Sequence, residues 1–210
     1  MRIKLDVNYL VTSNSRLDVL ICNAGLMSYE DPAKTVTEDG LELHFAVNYL
    51  AHFYLVQLLK DLLVASGAGR VVVVSSILLK EGQVDTEQLG CPGLARYGDR
   101  TARSPPAYAD SKLMLALFSR ELQRREPRLA VLTVSPGWCR TSLGRSAQIS
   151  CLAYPALVLL LLLVGKTVKQ AGDGIVFCAA KSGIDQLRGK FIRDRKIKME
   201  VSYRIILYLK

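Results

Sequence analysis

The chain is poor in the residues that build metal centres and disulfide frameworks. Its two histidines stand apart from its five cysteines (Cys22, Cys91, Cys139, Cys151, Cys178), which are odd in number, scattered and without a CxxC pair. That pattern excludes a zinc site and a disulfide-stapled fold, and no metal is expected. The start, Met1-Arg2-Ile3-Lys4-Leu5-Asp6, lacks the apolar stretch of a signal peptide, so a reducing compartment is expected and secretion is not. Aromatic residues make up 7%, with one tryptophan, and none interleave with basic residues in a nucleic-acid-binding motif. No segment is low-complexity, and 22% charge excludes disordered and collagen-like classes. The longest apolar run, Ile149 to Val164, has sixteen residues interrupted by Ser150 and Pro155. A spanning helix needs about twenty, so this run reads as a buried or interfacial helix.

What is present is enough for one sizeable core: 210 residues, 50% hydrophobic. Lys plus Arg (28) exceeds Asp plus Glu (19), giving a net charge of +9. Such a surplus suits an anionic partner such as a phosphorylated cofactor or an acidic membrane surface. Short apolar runs alternate with helical patterns, which predicts α/β with a parallel sheet. Strands are expected at Leu17–Cys22, Arg70–Ser75, Leu129–Val134 and Lys190–Ile192. A long helix is expected from about Thr37, as its N-cap, to Val64. Another should open at Ser104-Pro105-Pro106, with Ser104 as N-cap, and end near Arg124 to Pro127. Further helices are expected at Ile149–Val164 and Thr167–Ala180. The 31-residue connection from Ile77 to Ala107 is long enough to be a functional lid.

Chemistry concentrates at a few points. Tyr108 and Lys112 are four apart on a predicted helix and share a face. A phenol is a poor acid or base near neutrality, and a neighbouring ammonium stabilises its ionised form. Ser75-Ser76 ends a buried strand, Asn23-Ala24-Gly25 ends the strand before it, and Pro136-Gly137 through Thr141 follows the next. Open α/β sheets place ligands at such strand ends. His44 and His52 lie on the long helix without ligand partners and read as structural or exposed.

In this order the motifs resemble the short-chain dehydrogenase/reductase superfamily, and within it the retinol-dehydrogenase-like branch. The resemblance runs from Leu17 to Leu143: Leu17-Asp18-Val19-Leu20-Ile21-Cys22-Asn23-Ala24-Gly25, Thr37-Glu38-Asp39-Gly40 through Val47-Asn48-Tyr49-Leu50, Arg70-Val71-Val72-Val73-Val74-Ser75-Ser76, Tyr108-Ala109-Asp110-Ser111-Lys112, and Ser135-Pro136-Gly137-Trp138-Cys139-Arg140-Thr141. It implies a Rossmann-like doubly wound sheet and hydride transfer between NADP(H), or NAD(H), and a lipophilic alcohol or carbonyl of retinoid or steroid type. It implies Tyr108 as proton donor and acceptor, Ser76 as the hydrogen bond to the substrate oxygen, and Lys112 as the group that lowers the Tyr108 pKa and holds the nicotinamide ribose. Asn48 would anchor a water that links Lys112 to solvent. Asn23, Ala24 and Gly25 would line the adenosine side, and Pro136, Gly137 and Thr141 the nicotinamide amide.

The chain departs from that family in several places. The family's paired asparagines are Cys22-Asn23 here, and its glycine-rich phosphate turn, T-G-x-x-x-G-x-G, is not found. The expectation is a sheet truncated in its N-terminal half, with the first strands and glycine-rich loop missing. Residues 2–7 either fill the vacant strand or are a remnant of the third. Residues 1–198 read as a single partial domain and 199–210 as an atypical tail. Six basic residues within Leu187–Lys198 face either an anionic membrane surface, on the cytoplasmic side of the endoplasmic reticulum, or plain solvent. The alternative to an enzyme is a catalytically silent partner that dimerises through the two long helices, or a membrane-associated remnant.

Overall fold

The computed structural model describes residues 11–13, 15–30, 36–91, 97, 104–139 and 165–199. Five strands form one sheet in the order β1 (Val19–Cys22), β2 (Arg70–Val74), β3 (Ala130–Ser135), β4 (Phe191–Arg193) and β5 (Lys196–Met199). The first four run parallel, and β5 folds back antiparallel onto β4. Three helices pack on this sheet: α1 (Ala51–Ala65), α2 (Pro106–Arg125) and α3 (Val168–Ala180).

The four consecutive valines of β2 show why the sheet is covered on both sides. Strand side chains alternate between faces. Val71 and Val73 meet Val56 and Leu63 of α1 with Leu115, Phe118 and Leu122 of α2. Val72 and Val74 meet Cys178 of α3 with Leu132, Val134 and Ile192. A strand buried on both faces has no polar alternation, which is what this one lacks. The result is the doubly wound, parallel-dominated α/β sheet that the sequence predicts. Arg70 ties the second layer down: its Nη1 donates to the carbonyls of Cys178 (2.9 Å) and Ala179 (2.7 Å), satisfying the end of α3.

Several expected boundaries move. The long helix does not start at Thr37. A turn over Thr37–Gly40, with Gly40 at φ +78°, closes on an isolated bridge between Val36 and Glu42, and the Thr37 hydroxyl accepts from Leu41 N–H instead of capping a helix. Helical backbone begins at Leu43 and runs through a π-helical segment, Phe45–Leu50, into α1. Ser104 is not the N-cap of α2 either; Pro105 is, and the buried Ser104 hydroxyl donates to Glu81 Oε2 at 3.2 Å. The long connection opens with a 3-10 turn, Ile77–Glu81. By contrast the helix expected at Thr167–Ala180 is present as α3, with Thr167 as its N-cap in a reciprocal capping box with Gln170. The basic stretch after Leu187 forms the β4–β5 hairpin, whose two-residue turn puts Asp194 and Arg195 at positive φ (56° and 60°). Among the described residues no helix is long and apolar enough to cross a membrane. The predicted helix Ile149–Val164, the tail from 200 and residues 2–7 lie outside the described residues.

Candidate active site

The carboxyl ends of β1, β2 and β3 open on one side of the sheet, and α2 brings Tyr108 and Lys112 to the same place. Both side chains are buried. Lys112 Nζ donates to the carbonyl of Val74, the last residue of β2, at 3.1 Å. It lies 5.6 Å from the centre of the Tyr108 ring. The Ser75 hydroxyl donates to Lys112 O at 2.7 Å, so the end of β2 grips α2 through both backbone and side chain. Ser76 caps the 3-10 turn by accepting from Leu78 N–H at 3.3 Å, which leaves its own hydrogen to donate.

Burial decides the electrostatics. It pushes the Lys112 ammonium down to about 8 and raises the Tyr108 phenol above its ordinary value. A side-chain hydrogen bond from Ser76 works against that rise, and the nearby Tyr29 phenol adds to it. The expected depression of Tyr108 by Lys112 is therefore not what this structure has. Burial of the phenol sets the direction of its shift, with the Ser76 hydrogen bond as the opposing influence.

A third group of residues comes from the helix ahead of α1. Asn48, fully buried in the π-helical segment, clamps Leu26: Leu26 N–H donates to Oδ1 (2.9 Å), and Nδ2 donates to Leu26 O (3.0 Å) and to the Ser111 hydroxyl (3.0 Å). That hydroxyl in turn donates to Tyr108 O at 2.8 Å. His44 and His52, four residues either side of Asn48, hold the same extended segment. Ser28 N–H donates to His44 Nε2 (3.0 Å), and His52 Nε2 donates to Ala24 O (2.7 Å). His44 Nδ1 therefore carries the hydrogen and donates to Glu42 Oε1 at 2.7 Å. Of the two readings of these histidines, structural or exposed, the first holds: both are buried and hold backbone, and their spacing, His-x3-Asn-x3-His, lies open in the sequence although their partners do not.

Between these groups runs Asn23-Ala24-Gly25, exposed at the end of β1. A side chain on Gly25 would stand 3.2 Å from Asn48 Oδ1 and 3.4 Å from Lys112 Nζ, so the missing Cβ leaves a narrow cradle, no wider than a methyl group, beside the lysine. Pro136 and Gly137 follow β3, with Gly137 at φ +86°. Lys166 braces them by donating to Pro136 O at 3.2 Å and pairing with Asp194. Trp138, next in the chain, is 53% exposed. Thr141 lies outside the described residues. The structure thus brings together Asn23, Ala24, Gly25, Asn48, Ser76, Tyr108 and Lys112, with Pro136 and Gly137 on the neighbouring strand end. Among the described residues no histidine, cysteine or carboxylate cluster suits a metal ion.

The family model for short chain dehydrogenases matches residues 3–87. Over 189 residues the chain is 37% identical to retinol dehydrogenase 14 of Mus musculus, covering 89% of this chain and 54% of that protein. Retinol dehydrogenase 14 of Homo sapiens is 35% identical, with 89% and 53% covered. The chain belongs to the short-chain dehydrogenase/reductase superfamily. Within it the chain is a retinol-dehydrogenase-like member, and it spans about half the length of these curated relatives. The fold agrees with solved structures at low identity. A gluconate 5-dehydrogenase from Burkholderia cenocepacia superposes with a TM-score of 0.64 at 17% identity, covering 91% of this chain and 68% of that one. An aldohexose dehydrogenase from Thermoplasma acidophilum gives 0.67 at 14%, with 91% and 71% covered.

Proposed function

We propose that this chain is an oxidoreductase that exchanges a hydride between NADP(H) and a lipophilic alcohol or carbonyl compound of retinoid or steroid type. The observation that carries the reading is the buried Tyr108–Lys112 pair at the end of β2, with Ser76 hydrogen-bonded to the phenol. The retinol dehydrogenase relatives support the substrate class, and solved members of the fold bound to NADP or NADPH support the cofactor. When bound, a nicotinamide cofactor supplies or takes the hydride.

The residues present fit its nicotinamide half. Lys112 uses one of its three N–H groups on Val74 O, leaving the others for ribose hydroxyls beside the Gly25 cradle. Asn23, Ala24 and Gly25 line the adenosine side, and Pro136 and Gly137 the amide, with Thr141 beyond them. Tyr108, its pKa raised by burial, is a neutral phenol near pH 7 and is set to give its proton to a carbonyl oxygen. Ser76 holds that oxygen. Asn48 commits both amide hydrogens to Leu26 O and Ser111, and a lone pair of Oδ1 remains for a water on the Lys112 side.

The test is an NADPH titration followed by Trp138 fluorescence, with retinaldehyde reduction assayed in parallel. Saturable quenching and turnover, both lost in Lys112→Ala, are expected. A second reading, a non-catalytic partner pairing through α1 and α2, is favoured by the lack of a glycine-rich phosphate turn in the sequence. It predicts a flat titration and co-purification with a full-length retinol dehydrogenase.

A further inference from the structure

His44, Asn48 and His52 stand at four-residue intervals on one helical run, and they hold Ser28, Leu26 and Ala24, which stand at two-residue intervals on an extended one. The two spacings match: four helical residues rise about 6 Å, and two extended residues about 6.6 Å. An α-helix rotates residues four apart by about 40° at each step. The wider i→i+5 turns of Phe45–Leu50, closed by Ala51 N–H on Ala46 O, offset that drift and keep the three side chains on one face.

All three polar side chains are buried, as is Glu42, which fixes the ring of His44 through Nδ1. The other carboxylate oxygen of Glu42 accepts from Phe45 N–H at 2.7 Å, so this group is locked from both sides. The two imidazoles work in opposite senses: Nε2 of His44 accepts, and Nε2 of His52 donates. The segment they hold is the wall of the candidate site. Gly25 lies against Asn48 Oδ1 and Lys112 Nζ, and Tyr29 adjoins the Tyr108 phenol. The His44 ring itself meets the Tyr108 ring edge-on, with centres 6.1 Å apart.

We propose that His44 and His52 are positioning residues that, on either side of Asn48, fix the Ala24–Ser28 segment as the wall that keeps bulk solvent, as distinct from a single water held at Asn48, from Lys112 and Tyr108. Neither imidazole touches the reacting atoms. The proposal rests on the reading of Lys112 and Tyr108 as the working pair, and its test is separable from that reading.

The measurement is the ionisation of Lys112, followed in the full chain by NMR of 13Cε-labelled lysine and assigned by the signal missing from Lys112→Met. The groups facing this ammonium are Tyr108 on its own helix, His52 from α1 and the neutral Val74 carbonyl. In the wild type the midpoint is expected at about 8. His44→Leu or His52→Leu should release the wall, admit water and carry the midpoint back toward the ordinary 10.5. His44→Gln and His52→Gln, which keep an acceptor and a donor, should hold it near 8. If a leucine variant does not fold, asparagine at the same position, polar but too short to span the gap, gives the same readout. A merely structural role predicts a lower Tm with the Lys112 midpoint unmoved, and that result overturns the proposal. A shifted midpoint in a chain with no turnover keeps the wall and removes the oxidoreductase reading; turnover with an unmoved midpoint removes the wall alone.

Discussion

The Lys112 ammonium sits 5.6 Å from the centre of the Tyr108 ring and hydrogen-bonds the last carbonyl of β2, and burial brings the pH at which it gives up its charge down to about 8. The pair is set by helix geometry: four residues bring both groups to one side of α2, and the close-packed sheet takes that side out of water. Two consequences follow from one cause, a lysine that loses its charge early as pH rises and a phenol that ionises late.

Replacing Lys112 by Met should stabilise the fold at neutral pH. The folded-state pKa of about 8 lies below the unfolded 10.5, so between these values the unfolded chain binds more protons and wild-type stability gains with rising pH from this group. Below pH 8 the cost of the buried charge is complete, at about 3 kcal/mol. The stability advantage of Lys112→Met, from urea unfolding at a series of pH values, should therefore be largest near pH 7 and fade by about pH 10. An advantage independent of pH would mean that the lysine is not desolvated.

Ser76→Ala should move the Tyr108 phenol further up, because the hydrogen bond that favours the ionised form is lost while burial remains. Difference absorbance at 295 nm between each protein and its Tyr108→Phe counterpart isolates this one phenol among nine tyrosines. If the enzymatic reading holds, turnover falls in the same variant with little change in NADPH binding.

How far the sequence could be read depended on whether a feature is local. The β2 valines, the Thr167–Gln170 cap and the Tyr108–Lys112 spacing are each written within a few residues, and each is present in the fold. The start of the long helix was not legible, because Thr37 followed by a hydrophobic period looks like a cap, whereas Gly40 at positive φ and the Val36–Glu42 bridge divert the chain first. β5 was hidden because its turn is Asp194-Arg195, without the Asn-Gly signal that marks such hairpins. His44 and His52 stood in plain sequence at the right spacing, but their partners are backbone groups of an irregular segment, and those carry no side-chain signature.

Gly82→Ala should be among the most damaging single changes outside the core. A Cβ there would fall 2.6 Å from Ala109 O and 2.9 Å from Leu113 Cβ, backbone and packed side chain that cannot swing aside. The variant forces the Ile77–Glu81 turn away from α2, costing on the order of 3 kcal/mol. Since Ser76 caps that turn and Tyr108 sits one residue before Ala109, the Ser76–Tyr108 hydrogen bond should stretch as well. The Tyr108 phenol would then ionise later, as in Ser76→Ala, and the same 295 nm difference titration detects it.

Gly25→Ala should separate stability from cofactor binding. The backbone at Gly25 is outside the left-handed region, so alanine is allowed there, and a stiffer unfolded chain contributes about 0.4–1 kcal/mol of stabilisation. Against this, the new methyl stands 3.2 Å from Asn48 Oδ1 and 3.4 Å from Lys112 Nζ, close enough to displace each by a few tenths of an ångström. These opposed effects should leave the urea midpoint within about 1 kcal/mol of wild type. The cradle beside Lys112, however, is filled. If a nicotinamide ribose uses that space, NADPH affinity measured by Trp138 quenching should fall about tenfold or more, near 1.4 kcal/mol. Unchanged quenching in a stable Gly25→Ala protein would place the cofactor away from this strand end, and the assignment of Asn23, Ala24 and Gly25 to cofactor binding would fall with it.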